Sequence, residues 1–541
     1  MDGDAIVFAY HEATKHHFHR YARSAGYLDW ANQPDPFRRY AGAPLHRLPL
    51  HTVDDTPPYE QLYSPGAIPT RAVNAQSIGL LFECSLALSA WKEYHGDRWA
   101  LRCNPSSGNL HPTEGYLVAG PLEGLSSAPG VYHYAPREHA LEERCTFDLD
   151  IWTALTAAFP EDLFFVGLTS IHWREAWKYG ERAYRYCQHD VGHAFAALRL
   201  AAAMLGWRAV MLDGISDATI AALLGVDRDD GYHETEREVP DLLLAVSPPE
   251  GEAAHILPSE PVARIAQAAW CGTANRLSKD HADWPVIREV HRACAKPETG
   301  AETRRAPTSF APQSTAPCGL SAMRIIQQRR SAVAMDGTTR MTRETFYHAL
   351  TRVVPSLCAI PWDATPSPAR VHLGLFVHRV DGIKPGLYAL VREESALEPL
   401  REAMRPDFVW EKPDACPSGL DLYLLARGDC REAAAALSCG QDIAADGVFS
   451  LGMLADFEPA IRERGPHIYR RLFWETGMIG QVLYLEAEAA GVRATGIGCF
   501  FDDPVHEVFG LTDRRYQSLY HFTVGGYVDD PRLTTLPPYG V

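Results

Sequence analysis

Tyr184-Arg-Tyr-Cys-Gln-His-Asp-Val-Gly192 and, 285 residues later, Tyr469-Arg-Arg-Leu-Phe-Trp-Glu-Thr-Gly477 open two versions of one passage. Leu200, Gly206, Arg208, Ala209, Asp217 and Gly225 recur at the same spacing as Leu485, Gly491, Arg493, Ala494, Asp502 and Gly510. Further upstream, Gly130-Val-Tyr132 with Glu138, Ala140, Leu141 and Glu142 recurs as Gly386-Leu-Tyr388 with Glu394, Ala396, Leu397 and Glu398, at an offset of 256. Two register-locked matches in the same order imply one duplicated unit, with 29 extra residues between the matches in the second copy. A repeat this long is a domain duplication and not a solenoid array. Two related domains on one chain can dock as a built-in dimer and form a site between them.

The bulk properties agree. A chain of 541 residues accommodates two domains, each of about 200–250 residues on size grounds. Apolar residues make up 46%, enough for ordinary cores. The formal charge of −17 is spread along the chain, which disfavours a nucleic-acid surface, since that needs clustered Lys and Arg. No apolar run approaches the roughly 20 residues of a membrane span. Met1-Asp-Gly-Asp4 lacks the basic and apolar make-up of a signal peptide. The twelve cysteines show no CxxC pair and no metal-like spacing, which reads as a reduced cytoplasmic protein without a metal site. His11-Glu-Ala-Thr-Lys-His16 misses the HExxH spacing that puts two imidazoles on one helical face.

The first copy is read as residues 1–275, a linker region as 276–319 and the second copy as 320–541. From about 296 the linker is rich in Pro, Thr, Ser and Ala. The tail from Asp529 is expected to lie over a surface. Each copy has an α+β pattern. Residues 115–118, 241–246 and 371–377 read as strands. Residues 192–205 and 477–490 read as long buried helices, each followed by a glycine (206, 491) where a C-cap belongs. Asp217 and Asp502 stand where they would N-cap a following helix.

Four segments carry candidate chemistry. Arg102-Cys-Asn-Pro-Ser-Ser-Gly-Asn-Leu-His-Pro112 is a turn rich in small polar groups, able to hydrogen-bond a polar heteroaromatic edge or to be an ordinary Ser/Asn loop. Arg329-Arg330-Ser331 offers two guanidinium groups and a hydroxyl at the expected start of a helix, a pattern that suits a phosphate or a plain surface pair. Gly496-Ile497-Gly498-Cys499 lets backbone N–H groups approach a planar ligand, or makes a tight turn. Lys178-Tyr179 can exchange protons with a substrate, or be a solvated Lys beside a half-buried Tyr.

Together, in this order and found twice, these segments resemble the FMN-dependent nitroreductase superfamily, and within it the SagB/ThcOx (McbC-like) dehydrogenase branch in its tandem two-domain form. The resemblance rests on Pro105-Ser-Ser-Gly-Asn-Leu-His-Pro112, Gly130-Val-Tyr-His-Tyr134, the stretch from Tyr184 to His193, and Leu212-Asp-Gly214 in copy one. In copy two it rests on Arg329-Arg-Ser331, Gly386-Leu-Tyr388, Gly480-Gln481, the stretch from Gly496 to Asp503, and Val524-Gly-Gly526. It implies an α+β fold of two tandem nitroreductase-like domains. Each would have a central, mostly antiparallel sheet flanked by helices, and the two would pack as an intrachain pseudo-dimer with FMN at the interface.

The copies keep complementary halves. Copy one has the Ser/Gly/Asn loop but no clear Arg-Arg-Ser start. Copy two has Arg329, Arg330, Ser331 and the Gly-x-Gly turn, but only Ala364-Thr-Pro-Ser-Pro368 in place of the loop. The resemblance therefore implies one FMN per chain. Its phosphate would lie on Arg329, Arg330 and Ser331, with Arg102 and Arg532 as further candidates because Val333 stands where a third basic residue is usual. Its ring would lie on Gly496, Ile497, Gly498 and Cys499, with Pro105, Ser106, Ser107 and Asn109 reaching it from copy one. Lys178-Tyr179 matches the Lys-Tyr pair of azoline dehydrogenases of this branch, with Lys178 or a Tyr179 phenolate as base. The corresponding positions in copy two are Glu463-Arg464. The expected activity is dehydrogenation of a modified-peptide or small-molecule substrate. The alternatives are NAD(P)H-driven reduction of a nitro, quinone or enone compound, and a non-catalytic flavin-binding or structural protein. Further oligomerisation is compatible with either.

Overall fold

The computed structural model describes residues 2–64, 66–228, 231–249, 255–300 and 318–540. Most of the Pro/Thr/Ser/Ala-rich linker, 301–317, lies outside the described residues.

Each copy is built on one sheet. In copy one the strand order is Leu45–Arg47, Ala140–Thr146, Gly130–Ala135, Thr113–Ala119, Phe164–Ser170, Val239–Ser247, Arg208–Met211. In copy two it is Asp421–Arg427, Gly386–Val391, Val371–Val377, Phe449–Asp456, Tyr516–Gly525, Arg493–Ile497. All neighbouring strands in both sheets are antiparallel. Every residue of Thr113–Ala119 and of Val371–Val377 is buried. That explains their near-continuous apolar sequence: both faces of these central strands are covered.

Strand order also locates the extra residues of copy two. Ala140–Thr146 is a strand beside Gly130–Ala135, and its counterpart beside Gly386–Val391 is Asp421–Arg427. The letters matched at 394–398 instead fall in a 3-10 turn and the start of helix Leu397–Ala403. The insertion thus enters directly after the strand ending at Val391. The likeness of Glu138, Ala140, Leu141 and Glu142 to Glu394, Ala396, Leu397 and Glu398 is not structural.

The passage with the 285 offset is structural throughout. Helix Ala183–Met204 corresponds to Ile468–Ala489, both of 22 residues, and helix Asp217–Leu224 to Asp502–Phe509. The two long helices cross at their matched glycines. A Cβ on Gly192 would stand 2.1 Å from the Trp474 carbonyl oxygen, and one on Gly477 would stand 2.2 Å from that of His189. Only glycine permits this approach. Tyr184 and its equivalent Tyr469 stack with ring centroids 6.4 Å apart and planes 6° apart.

Ion pairs repeat the relation. Arg185 of copy one bonds Asp502 of copy two at 2.8 Å, and Arg470 of copy two bonds Asp217 of copy one at 2.5 Å. A patch in which residue i meets j and j meets i is the mark of an isologous interface. This revises the role expected for the two aspartates. Ser216, not Asp217, caps its helix, and Phe501 precedes the other helix without a side-chain cap. The carboxylates face across the interface. Burial alone would raise the Asp502 pKa, but Arg182 and Arg185 outweigh it and hold the carboxyl well below the usual range.

The chain ends cross between copies too. Lys15, just beyond helix Gly3–Ala13, pairs with Asp503 at 2.8 Å, and strand Thr534–Leu536 pairs with Leu88–Tyr94 of copy one. Gly206 and Gly491 end the long helices at φ of 71° and 73°, as the sequence predicts. No helix among the described residues is long and apolar enough to cross a membrane.

Candidate functional site

The Ser/Gly/Asn loop joins strand Asp97–Arg102 to strand Thr113–Ala119. Gly108, Asn109 and His111 all have φ between 53° and 60°, so the loop is a tight, specified turn. Asp190, on the first long helix, holds it: the Ser107 N–H and hydroxyl each donate to its carboxylate at 3.0 Å. Asn109 donates to the Ala100 carbonyl at 2.9 Å, and Ser106 Oγ accepts from the His111 N–H at 2.8 Å.

Lys178 and Tyr179 end the helix His172–Tyr179 directly over this loop. A Cβ on Gly108 would meet Tyr179 Oη at 2.6 Å and Lys178 Nζ at 3.1 Å. The Tyr179 ring packs on Tyr186, at 4.4 Å between centroids. Tyr186 in turn donates to the Gly498 carbonyl at 3.1 Å. Thus the loop and Lys-Tyr pair of copy one and the Gly-x-Gly segment of copy two face one another.

On the copy-two side, Gly496 N–H donates to Tyr484 Oη at 2.9 Å, and Ser331 Oγ lies 2.9 Å from the same hydroxyl. Both glycines have crowded Cβ directions: one on Gly496 would fall 1.9 Å from Tyr520 Oη, and one on Gly498 would fall 2.3 Å from the Tyr186 ring. A side chain at Gly496 would strike Tyr520 of its own copy, and one at Gly498 would strike Tyr186 of copy one.

Arg329 and Arg330 follow helix Ala322–Gln328 instead of preceding one. A helix C-terminus repels a phosphate, so anion affinity here must come from the side chains. The Arg329 guanidinium donates to the Arg102 and Cys103 carbonyls, at 2.9 and 3.2 Å, and lies over Tyr484. Arg330 donates to Ser89 of copy one. Burial, then Arg329, brings the Arg330 pKa down to about 10. Burial, then Arg330 and Arg493, lowers that of Lys92. Four cations, Lys92, Arg329, Arg330 and Arg493, act on one another here, offset by the carboxylate of Glu488 among the three arginines and, at the edge, by Asp529, 3.0 Å from Arg493.

Two expected phosphate ligands are not in this group. Arg102 meets Arg329 with its carbonyl. Its guanidinium turns to the Pro36 carbonyl at 2.6 Å and to the Phe37 ring. Arg532 is exposed and paired with Asp530 at 2.7 Å. Lys92 and Arg493 stand beside Arg329 and Arg330 instead. Arg493 was visible in the sequence, but as a repeat position matching Arg208, which reads as a fold residue. Lys92 carries no motif. Asp190 has a signal in retrospect: its partner at the 285 offset is Glu475, which accepts the backbone N–H groups of Arg370 and Val371.

The symmetry-related position at the other end of the interface differs. Met211 and Asp213 stand for Gly496 and Gly498. Asp213 forms an ion pair with Arg471, the counterpart of Tyr186. Arg199, the counterpart of Tyr484, is neutralised by a two-pronged pair with Asp363 at 2.8 and 2.7 Å. A cavity of about 1600 Å³ lies there, lined in part by Met211, Arg471, Trp474 and Glu475.

Two matched sheets and a glycine-crossed helix pair define a fused, dimer-like α+β fold. The chain belongs to the Nitroreductase family, which it matches over residues 98–233 and 384–527, one match in each copy. It is 32% identical over 132 residues to the trifolitoxin-processing protein TfxB of Rhizobium leguminosarum bv. trifolii, covering 23% of this chain and 35% of that protein. The chain thus matches about a third of TfxB's length. It is 26% identical over 156 residues to the nitroreductase-named protein MJ1384 of Methanocaldococcus jannaschii, covering 28% of this chain and 72% of that one. In fold it is similar to a nitroreductase-type structure from Anabaena variabilis, with a TM-score of 0.67, 23% identity, and coverage of 97% and 99% of the two chains.

Proposed function

We propose that this protein is an FMN-dependent dehydrogenase of the SagB/ThcOx type with one composite flavin site per chain. The observation that carries this reading is the meeting of Lys178, Tyr179 and the Ser/Gly/Asn loop of copy one with the side-chain-free strand end at Gly496 and Gly498 of copy two. The residues fit the cofactor. Arg329, Arg330, Arg493, Lys92 and Ser331 supply cationic and hydroxyl donors for a phosphate. The backbone from Ile497 to Cys499 would lie against a planar ring, the Gly496 N–H being held by Tyr484 Oη. Ser106, Ser107 and Asn109 bring polar groups from the opposite copy. When bound, FMN supplies the hydride-accepting chemistry.

The protein's own task is positioning and proton movement. Burial, then Glu175, raises the Tyr179 pKa well above its ordinary value, so Tyr179 is a phenol and not the phenolate expected from its proximity to Lys178. Lys178 is then the proton acceptor, and Tyr179 a hydrogen-bond donor that orients the substrate. At the twin position Met211, Asp213 and the neutralised Arg199 supply neither the open strand end nor the phosphate field. That supports one flavin, not two.

Flavin analysis of purified protein tests this, with one FMN per chain expected. Two per chain, or none after reconstitution, would sink the proposal. Anaerobic mixing then separates the activities. Bleaching by a thiazoline or oxazoline substrate marks a dehydrogenase, whereas rapid bleaching by NADH or NADPH marks a reductase.

A further inference from the structure

Among the described residues, the aromatic side chains that are more than half exposed all fall in one stretch: Phe18 at 53%, Tyr21 at 55%, Tyr27 at 72% and Trp30 at 66%. Exposed apolar side chains scattered singly are normal, whereas a cluster marks an interaction site. The stretch is pinned at three points. At its start the His16 N–H donates to Asp502 Oδ2 at 2.9 Å, and the Asp502 N–H donates to the His16 carbonyl at 3.1 Å. The Phe18 and Tyr21 rings there lie 4.7 and 5.8 Å from that of Phe501. In its middle the Glu181 N–H donates to the Arg23 carbonyl at 3.0 Å, and the Arg23 and Glu181 side chains pair at 2.8 Å. A Cβ on Gly180 would stand 2.4 Å from the same carbonyl. At its end Trp177 Nε1 donates to the Asp29 carbonyl at 3.0 Å, and Trp30 meets the Trp177 ring edge-on at 5.5 Å. Every one of these anchors adjoins the proposed site. Trp177 directly precedes Lys178-Tyr179, Gly180 and Glu181 directly follow it, and Phe501 lies just beyond Cys499.

Resting on the function proposed above, we infer that residues 18–30 are the docking surface for a peptide substrate, and that they take planar side chains or heterocycles flanking the reacting unit. Phe18 and Tyr21 border the site beside Phe501 of copy two, and Trp30 borders it beside Trp177 of copy one. Rings at both ends suit an extended ligand and not a lone heterocycle. Tyrosine and tryptophan give large, rigid, amphipathic contact area at low entropic cost. The backbone contacts hold these rings in place before a ligand arrives, which lowers the ordering cost of binding further. Charge agrees with the same occupant. Arg20 and Arg23 against Asp29 leave residues 17–30 with a formal charge of +1, on a chain of −17. Such a surface is complementary to a neutral or acidic peptide.

Fluorescence polarisation on the full-length protein tests this with two fluorescein-labelled peptides, each carrying one central thiazole and one aspartate. In the first the remaining flanking positions alternate Trp and Phe; in the second they are Gly and Ser. The aromatic-flanked peptide should bind about tenfold tighter, since aromatic anchors dominate such contacts. Phe18→Ser combined with Tyr27→Ser and Trp30→Ser should remove that advantage and leave the Gly/Ser peptide, the flavin content and the thermal midpoint unchanged. Tyr27→Ser alone, at the most exposed ring, should cost about threefold and keeps the test valid if the triple variant folds poorly. Equal affinity for the two peptides, or an advantage that survives both variants, overturns the inference. So does a dimer in sedimentation that the triple variant dissociates, because a second copy would then be the occupant. Polarisation requires no turnover. One FMN per chain with no preference between the peptides overturns the docking surface alone, whereas a flavin-free protein overturns the dehydrogenase reading.

Discussion

Replacing Gly477 with alanine would test the built-in dimer at its axis. The new methyl would stand 2.2 Å from the His189 carbonyl oxygen and 2.8 Å from Gly192 Cα, all backbone atoms that no rotamer change can move. A carbon–oxygen contact relaxes only near ~3.3 Å. The two long helices must therefore separate by about 1 Å at the crossing. A radial gap of ~0.5–1 Å forfeits roughly a quarter to a half of each dispersion contact, and a buried side chain makes ~40–60 contacts of ~0.1–0.2 kcal/mol. Loosening the equivalent of one buried side chain among Phe473, Trp474 and His189 in this way costs about 1–6 kcal/mol on those figures, near ~3 kcal/mol at mid-range. The better helix propensity of alanine returns about 1 kcal/mol, leaving a net loss of about 2 kcal/mol. Urea unfolding followed by circular dichroism measures this directly. Gly192→Ala should behave alike, and the double variant should cost less than the sum, since both methyls demand the same separation. Midpoints for the single variants within about 0.5 kcal/mol of wild type would refute the close crossing.

Other expectations concern the site and the pH response. Gly498→Ala should abolish flavin retention with a smaller change in unfolding midpoint than Gly477→Ala, because its methyl meets a tyrosine ring and not backbone; full flavin content in this variant would contradict the placement. Arg329→Ala with Arg330→Ala should lower FMN affinity at least a hundredfold by equilibrium dialysis, while Arg532→Ala should change it less than twofold. Asp502→Asn should cost about 3–5 kcal/mol at neutral pH, because it leaves Arg182 and Arg185 buried without a countercharge. In the wild type the depressed Asp502 pKa gives stability that is fully present above the unfolded value of about 3.9 and is lost as pH falls through the folded one. An acid-unfolding curve unchanged by Asp502→Asn would exclude that contribution.

The duplication was legible because fold-critical residues recur at fixed spacing. Glycine at 192 and 477 and the Arg–Asp partners are letters that geometry does not let drift. The copy-two insertion was misplaced for the opposite reason. Glu394 to Glu398 happen to repeat the letters of 138–142, but Ala140, Leu141 and Glu142 are buried in a strand whereas 394–398 are exposed or half-buried, so an identity this short carries no structural equivalence. The Ser/Gly/Asn loop and the Gly-x-Gly turn were readable from residue type, since each needs backbone freedom or small polar groups. The phosphate side was half readable. Arg329 and Arg330 stand out as a pair, but their place after a helix, and the arrival of Lys92 from a strand of the other copy, depend on how the two sheets dock. Glu175 was silent, because an acidic residue on a polar-looking helix reads as solvated until burial is known.

The two ends of the interface show why a fused pair can differ where a symmetric dimer cannot. In a homodimer, aspartate at the Gly498 position would strike both sites at once. On one chain it could arise in copy one alone, as Asp213, with Arg471 as its answer in place of tyrosine. Arg199 in place of tyrosine likewise has its own partner, Asp363. Each of these substitutions is paired with another across the interface, so the twin end is a repacked surface and not an eroded one. The shared axis stayed fixed throughout: the glycine crossing, the stacked Tyr184 and Tyr469, and the reciprocal Arg185–Asp502 and Arg470–Asp217 pairs serve both ends equally. Selection on the fold therefore acts on both copies, while selection on the chemistry acts on one end. That is why the residues the copies share hold them together, and those in which they differ mark the single proposed flavin site.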